Sequence, residues 1–408
     1  MTTPHSLTSA LSVHIAQAIA AQGGWIGFDE FMALALYTPD LGYYANDSAK
    51  FGTLPYAMQA GVRVAGSDFV TAPEMTPLFG QTLAAQVAQA LQVTHTHEVW
   101  EFGAGSGALA LQLLETLEAL GAPLPRYNIA ELSQSLRARQ QKTLEKYAHT
   151  VRWVSELPAT LQGVVLGNEV LDAMPVKLLA RKGGVWYERG VALHPERSET
   201  VRAEPPVLSF VEGVEACFAP PAEVLAPVQP GFIWQDRRTD LRPPMAIDGA
   251  HDYLTEIHPQ GESFVRTLAD KLTAGAVFLI DYGFPEQEYY HPQRHMGTVM
   301  CHRGHRSDTD PLADVGLKDI TAHVNFTGIA LAAQESGLGL LGYCTQARFL
   351  INCGLLSRLE NASLSERVAA QKLIMEHEMG ELFKVIGLYQ GEPWQAIGFA
   401  QGDRTHTL

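Results

Sequence analysis

The sequence predicts an α/β fold: a doubly wound, Rossmann-like parallel sheet with an N-terminal helical cover and a β-rich insertion. Three observations carry that prediction. Apolar strands alternate with helical patterns from residue 98 to about residue 175, and again after residue 257, the rhythm of parallel βαβ units. The first of these strands runs into Gly103-Ala-Gly-Ser-Gly107, and the helical pattern Leu109-Ala-Leu-Gln-Leu-Leu-Glu-Thr-Leu117 follows at once. Between the two α/β stretches lie short β-like runs broken by prolines and glycines. The 408 residues exceed what one hydrophobic core usually serves. The expected division is a cover over 1–97, a core from 98–175 and 258–408, and an inserted substrate region over 176–257.

Each element has a local reason. The first 97 residues hold only eight charged side chains, so this segment packs against the rest and is no solvated tail. It offers helical patterns over Leu11 to Ala21 and Phe28 to Leu36, the turn Thr38-Pro-Asp-Leu-Gly42 and the pair Tyr43-Tyr44. Thr76 as N-cap and Pro77 at the first helical position start a helix that runs to about Leu91. Strands are predicted over 98–103, 127–131, 151–154 and 163–168, with helices near 107–120 and 133–147. Inside the insertion, β-like runs span Val185 to Val191, Val207 to Val214 and Gly231 to Trp234. A helix over about 260–272 and the apolar strand Ala276-Val-Phe-Leu-Ile-Asp281 follow. Helices near 325–337 and 363–377 precede strands near 339–346 and 394–400, a late pair suited to an antiparallel edge.

Composition narrows the function. A hydrophobic content of 46% with 18% charged residues describes a globular protein with an ample core, and the net charge of −15 argues against a surface that tracks nucleic acid. Cys217, Cys301, Cys344 and Cys353 form no C-x-x-C pair and read as reduced thiols. Residues 1–24 contain neither Lys nor Arg, which fits no signal or transit peptide. No apolar run reaches the ~18–20 residues that span a bilayer. A cytoplasmic protein without membrane insertion is expected.

The most informative stretch is Glu98-Val-Trp-Glu-Phe-Gly-Ala-Gly-Ser-Gly107. A strand that turns sharply into a helix needs residues without Cβ, which accept unusual φ/ψ and let a ligand touch the backbone. Glu101, two residues before the first glycine, would repel a phosphate and suits a ligand with a positive group. S-adenosylmethionine (SAM), which carries an ammonium and a sulfonium and no phosphate, meets that requirement through Gly103, Gly105 and Gly107. The spacing Gly103-x-Gly105-x-x-Ala108 also satisfies the loose dinucleotide fingerprint, and a tight strand–helix connection needs glycines in any case. The motif alone leaves all three open.

Ligands in open α/β sheets lie beyond the carboxyl ends of the strands. Those ends carry Glu101, Glu131, Ser155-Glu156, Asn168-Glu169 and Asp281. A carboxylate at Glu131 would accept hydrogen bonds from both ribose hydroxyls of a nucleoside. Gly167-Asn-Glu-Val-Leu-Asp-Ala-Met-Pro175 spaces Glu169 and Asp172 three residues apart. If the stretch makes one turn, both converge on a planar cation such as a guanidinium, whose forked donors pair bidentately with carboxylates. Acids at a helix terminus facing water are the plainer reading. His291, His295, Cys301, His302 and His305 fit no standard metal spacing, so no metal is expected. Thr321-Ala-His-Val-Asn-Phe326 puts His323 at a helix start, either near the substrate or satisfied in the core. No G-x-S-x-G elbow supports hydrolysis.

Six motifs in this order resemble one family: Tyr37-x-Pro-x-x-Gly-Tyr-Tyr44, Gly66-Ser-Asp-Phe-Val-Thr-Ala-Pro-Glu-Met-Thr-Pro-Leu-Phe-Gly80, the Glu101 glycine loop, Asn168-Glu-Val-Leu-Asp-Ala-Met-Pro175, Ile280-Asp-Tyr-Gly283 and Asp319-Ile-Thr-Ala-His-Val-Asn-Phe326. Together they are similar to the MidA-like SAM-dependent methyltransferases, whose mitochondrial members are protein-arginine methyltransferases assisting assembly of respiratory complex I. The resemblance covers about 28–180 and 256–350, and residues 186–250 match no motif. It implies a class I SAM-dependent methyltransferase sheet and an arginine acceptor in a protein, a complex I core subunit being the candidate. By role, it implies that Glu101, Gly103, Gly105 and Gly107 pass the methionine part of SAM and Glu131 holds the ribose. Thr71, Pro73, Glu74 and Asn168 would line the cofactor cleft, Glu169 and Asp172 would hold the guanidinium, and Asp281 and His323 would sit at the cleft mouth. The alternatives are an NAD(P)-dependent oxidoreductase and a non-catalytic SAM-binding assembly factor.

Overall fold

The computed structural model describes residues 4–45, 56–59, 62–65, 71–195, 231–304 and 306–408. The predicted strand Val207 to Val214, Cys217, His305 and the start of the Gly66 motif lie outside them. The chain opens with α1 (Pro4–Ala21), β1 (Trp25–Gly27) and α2 (Phe28–Tyr37). A hairpin of β2 (Tyr56–Gln59) and β3 (Val62–Ala65) and the short α3 (Ala72–Met75) lead into α4 (Leu78–Thr94). Pro77 is the N-cap of α4, one position earlier in the helix than predicted. Thr76 still serves the helix start, because its hydroxyl accepts the Leu78 N–H at 3.3 Å.

The α/β rhythm then unfolds as β4 (Glu98–Phe102), α5 (Ala108–Ala119), β5 (Arg126–Ala130), α6 (Gln134–Thr143), β6 (Val151–Val154) and β7 (Leu161–Asn168). The helix predicted to run to 147 stops at Thr143, and a single 3₁₀ turn, Glu145–Tyr147, finishes it. The insertion supplies β8 (Lys177–Lys182), β9 (Val185–Leu193), β10 (Phe232–Arg238) and β11 (Tyr253–Ile257). These are antiparallel, and β1 of the N-terminal segment joins them by pairing with β9. One apolar cluster, including Ile15, Phe28, Phe31, Leu178 and Val191, packs α1 and α2 onto that sheet.

After α7 (Pro259–Lys271) comes β12 (Leu272–Phe284), a near-continuous apolar run buried on both faces, as a central strand requires. Next in the chain are α8 (Glu286–Tyr289), β13 (Met300–Arg303), β14 (Arg306–Asp308), β15 (Asp319–Thr321), β16 (Val324–Asn325) and α9 (Phe326–Glu335). The last elements are β17 (Gly339–Thr345), α10 (Gln346–Asn352), α11 (Leu355–Glu360), α12 (Leu364–Ile374) and β18 (Phe383–Gln390). The main sheet has the order β17-β18-β12-β7-β4-β5-β6. Strands β12, β7, β4, β5 and β6 are parallel, and β18 and β17 form an antiparallel edge. That is the predicted Rossmann-like methyltransferase sheet. Helices α4, α5, α10 and α12 cover one face, while α7 and α9 cover the other. Among the described residues no helix is long and apolar enough to cross a membrane.

The edge differs from the sequence expectation in one respect. Its second strand is Phe383–Gln390, not 394–400, where a 3₁₀ turn over Ile397–Phe399 is found instead. The reason is packing. The Phe399 ring fills notches at Gly342 and Gly387, where an added Cβ would meet it at 2.3 and 2.5 Å. The apolar residues of 394–400 therefore cap the edge strands from the side without extending the sheet.

Candidate active site

The carboxyl ends of β4, β5, β7 and β12 open into one cavity of about 1460 Å³. Its floor is the turn after β4. Gly103, Gly105 and Gly107 have φ of 67°, 53° and 85°, the left-handed region that glycine enters without steric cost. A Cβ on Gly103 would also stand 2.8 Å from Val170 Cγ2, so the turn and the β7 end are fitted together. Ser106 donates a hydrogen bond to the Glu74 carboxylate, which ties α3 to the glycine turn. Glu101 is buried and accepts the Tyr127 hydroxyl at 2.6 Å. Burial pushes its carboxyl up to about 7, against the lowering effect of that bond.

Glu131 follows β5. One oxygen accepts the Ser133 N–H at 2.8 Å and the other accepts Gln140 Nε2 at 2.9 Å. The same Gln140 nitrogen donates to Gly105 O at 3.0 Å, and Gln140 Oε1 accepts the Trp153 indole N–H at 2.9 Å. Gln140 thus fixes the distance between the glycine turn and Glu131. No sequence signal pointed to it.

The second half of the site lies where β7 ends. Glu169 has φ of 54°, an uncommon state for a side-chain-bearing residue that persists only when its surroundings hold it. Asp281 is what holds it. One Asp281 oxygen accepts the N–H groups of Val170, Leu171 and Asp172 at 3.1, 2.9 and 3.2 Å, and the other accepts the Tyr282 N–H at 2.9 Å. Asp172 takes the Tyr282 hydroxyl at 2.5 Å through one oxygen, and its other oxygen, Oδ1, is buried without a partner. Tyr37 donates to Ala173 O at 2.8 Å, and Tyr44 donates to Asp319 at 2.8 Å. The two tyrosine rings stack at 5.7 Å.

Electrostatics follow from this enclosure. Desolvation first, then the nearby Asp172 and Asp319 carboxylates, raise the Glu169 carboxyl to about 8. Desolvation likewise raises Asp172 and Asp281. Glu169, Asp172 and Asp319 all line this one cavity, and enclosing them together makes their ionised forms costly. His323 stacks edge-on against Tyr282 at 5.3 Å, and its Nδ1 has no partner. Burial, then Arg294 and Lys384, lower it to about 4, so its imidazole is neutral.

Of the residues singled out in the sequence, Glu74, Glu101, Gly103, Gly105, Glu131, Asn168, Glu169, Asp172 and His323 all line this cavity, as do Thr71 and Pro73. Gly107 and Asp281 do not. Gly107 is the N-cap of α5, and Asp281 turns inward to the 170–172 backbone. The sequence reading did not assign site roles to Tyr37, Tyr44, Asp319, Tyr282, Gln140 or Arg294. The motif Tyr37-x-Pro-x-x-Gly-Tyr-Tyr44 was visible, but nothing in it said that α2 roofs this cavity. Among the described residues no group of three His, Cys, Asp or Glu side chains is arranged to hold a metal ion.

The cavity fits SAM by its own features. Glycine backbone is open to a ligand, Glu101 and Glu131 stand at neighbouring strand ends, and acids outnumber lysine and arginine among the described lining residues. Its volume exceeds the ~300–1,000 Å³ of a usual single-ligand pocket, leaving room for an acceptor side chain beside the cofactor. Comparison with known proteins agrees. A family model for S-adenosyl-L-methionine-dependent methyltransferases matches residues 82–344. A crystal structure of a Burkholderia thailandensis protein bound to S-adenosyl-homocysteine superimposes with a TM-score of 0.85 at 43% identity, covering 100% of this chain and 99% of that one. The mitochondrial protein arginine methyltransferase NDUFAF7 of Danio rerio is 26% identical over 93% of this chain and 86% of its own length. The human protein of that name is 25% identical over 87% and 76%.

Proposed function

Because this chain belongs to the S-adenosyl-L-methionine-dependent methyltransferase family, we propose that it methylates a guanidinium nitrogen of an arginine in a protein substrate. The observation that carries this reading is the carboxylate chamber of Glu169, Asp172 and Asp319, with the partnerless Asp172 Oδ1 buried among them. A guanidinium satisfies that oxygen and offsets the cost of three enclosed acids, because its fork matches carboxylates in pairs. When bound, SAM supplies an electrophilic methyl on a sulfonium. Glu101, the glycine turn and Glu131 would hold it on the β4–β5 side, with Glu74 and Asn168 at its margins. Glu169 and Asp172 hold the acceptor nitrogen in line, which is mainly catalysis by positioning. As the N–C bond forms and the S–C bond breaks, one N–H proton leaves. Burial by itself keeps Glu169 protonated at neutral pH. Entry of the guanidinium would favour its ionised form, and that carboxylate is the group suited to take the proton.

The resemblance to the MidA-like family, whose mitochondrial members assist assembly of respiratory complex I, supports a complex I core subunit as the acceptor protein. The names of the NDUFAF7 relatives support arginine as the acceptor residue. A reducing compartment, the cytoplasm, suits the buried free thiols of Cys301, Cys344 and Cys353. Transfer of a labelled methyl group into cell lysate, followed by mass spectrometry, tests the reading. Methylarginine in a protein is expected, and label on any other side chain overturns it.

A further inference from the structure

The cavity is lopsided in charge. Asp40, Glu74, Glu101, Glu131, Glu169, Asp172 and Asp319 line it, and Arg294 is the sole lysine or arginine among the described lining residues. Yet Arg294 pairs with none of them. Its guanidinium lies over the Phe284 ring, 3.8 Å from the centroid. No carboxylate within ion-pair distance meets it among the described residues, and only its backbone N–H is bonded, to His291 O at 2.8 Å. A guanidinium held flat on an aromatic face keeps its edge N–H groups free to bind an anion.

Position along the sheet says which anion. In the order β18-β12-β7-β4-β5, the cofactor features belong to β4 and β5, and the acceptor acids Glu169 and Asp172 follow β7. Phe284 ends β12, on the far side of those acids. Strands lie about 4.8 Å apart, so β12 stands roughly 10 Å from β4. An aromatic row of Phe284, His323 and Tyr282, with neighbouring centroids 5.3 Å apart, runs from Arg294 back to Asp172. The arrangement is a cation and an acid group at opposite ends of one wall.

We propose that Arg294 is an anion subsite that binds a substrate carboxylate, an Asp or Glu side chain next to the arginine being methylated. The proposal rests on the arginine reading above and names the sequence context of that arginine. The chain's net charge of −15 repels acidic peptides overall, so preference for one has to come from a local cation.

Calorimetric titration of two tripeptides, N-acetyl-Asp-Arg-Asp-amide and N-acetyl-Asn-Arg-Asn-amide, tests it directly. Wild type is expected to bind the acidic peptide at least ~5-fold more tightly, the scale of a charge-assisted contact. Arg294→Met keeps the apolar cover over Phe284 and should bind both peptides equally, while Arg294→Lys should restore part of the preference. Equal binding by wild type, or a preference that survives Arg294→Met, overturns the subsite. SAM affinity is measured on the same preparations. If Arg294→Met weakens SAM as much as the acidic peptide, the carboxylate is the cofactor's own and the substrate assignment is wrong. The arginine reading fails separately, if lysate label falls on another residue type.

Discussion

Glu169 concentrates several demands in one residue. It leaves β7 in a left-handed conformation, accepts a bond from the Ala72 backbone, and shares its space with two other acids. Glu169→Gln and Asp172→Asn should leave SAM affinity nearly intact while lowering methyl transfer, by ~10²-fold or more for Glu169 and less for Asp172. An amide cannot make the same ion pair with the acceptor. Affinity and turnover on one preparation decide the matter, since loss of both together would assign these acids to the cofactor. The pH dependence has a definite sign. The Glu169 carboxyl rises from an ordinary 4.5 to about 8 on folding, so between those values the folded protein keeps a proton that the unfolded chain has released. Stability from this group is present below the ordinary value and is lost as pH rises through 8. The fall in melting temperature from pH 5 to pH 8 should therefore be smaller in Glu169→Gln than in wild type. An equal fall in both would mean that Glu169 is not the group titrating.

At the scale of elements, the turn after β7 is built by a neighbouring strand. Asp281, in the last residues of β12 before it ends at Phe284, gathers three successive N–H groups that no helix or sheet satisfies. Asp281→Ala leaves those donors buried and unpaired, whereas Asp281→Asn keeps a carbonyl oxygen among them. The alanine variant should be the less stable by about 2 kcal/mol or more, read from denaturant unfolding. Equal stability would place water, not Asp281, among those donors. This relation also marks what was legible in the sequence. The glycine turn, Glu131 and the Glu169–Asp172 pair each follow a strand by local rule, so each could be named from the sequence as a candidate, and Gly103, Gly105, Glu131, Glu169 and Asp172 line the cavity. That Asp281 faces backbone while Tyr282 faces the cavity depends on alternation along β12 and on its register with β7, which one strand read alone does not supply. For the same reason α10 and α11 went unpredicted, and 394–400 read as strand while Phe383–Gln390 did not. Gly387 interrupts the apolar pattern of the true strand, and it is there to admit Phe399.

Across the whole molecule, two segments far apart in sequence share one sheet. β1 pairs with β9, and Phe31 of α2 packs with its neighbours against β8 and β9 in a core distinct from that of the main sheet. Phe31 is fully buried, and Phe31→Ala should cost about 3–5 kcal/mol there. The N-terminal segment and the inserted strands should then open together. Hydrogen exchange would show faster labelling in 11–36 and 177–193 while β4, β7 and β12 stay protected. Uniform acceleration would instead mean one cooperative unit. Because Tyr37 and Tyr44 stand at the end of this segment and roof the cavity, such opening would also uncover the acceptor side.

The bond from Trp153 to Gln140 has a practical consequence. Gln140 touches both the glycine turn and Glu131, and the indole N–H of Trp153 rests on its amide oxygen at 2.9 Å. Indole emission shifts in colour and strength with the polarity and hydrogen bonding around that N–H. The protein therefore carries its own optical gauge of the Glu131 end of the cavity, wired through a single glutamine. Titration with S-adenosyl-homocysteine should change its intrinsic fluorescence, and Trp153→Phe should remove most of that change while leaving the other five tryptophans in place. With such a gauge, arrival of the cofactor can be timed in a mixing experiment without label, dye or turnover.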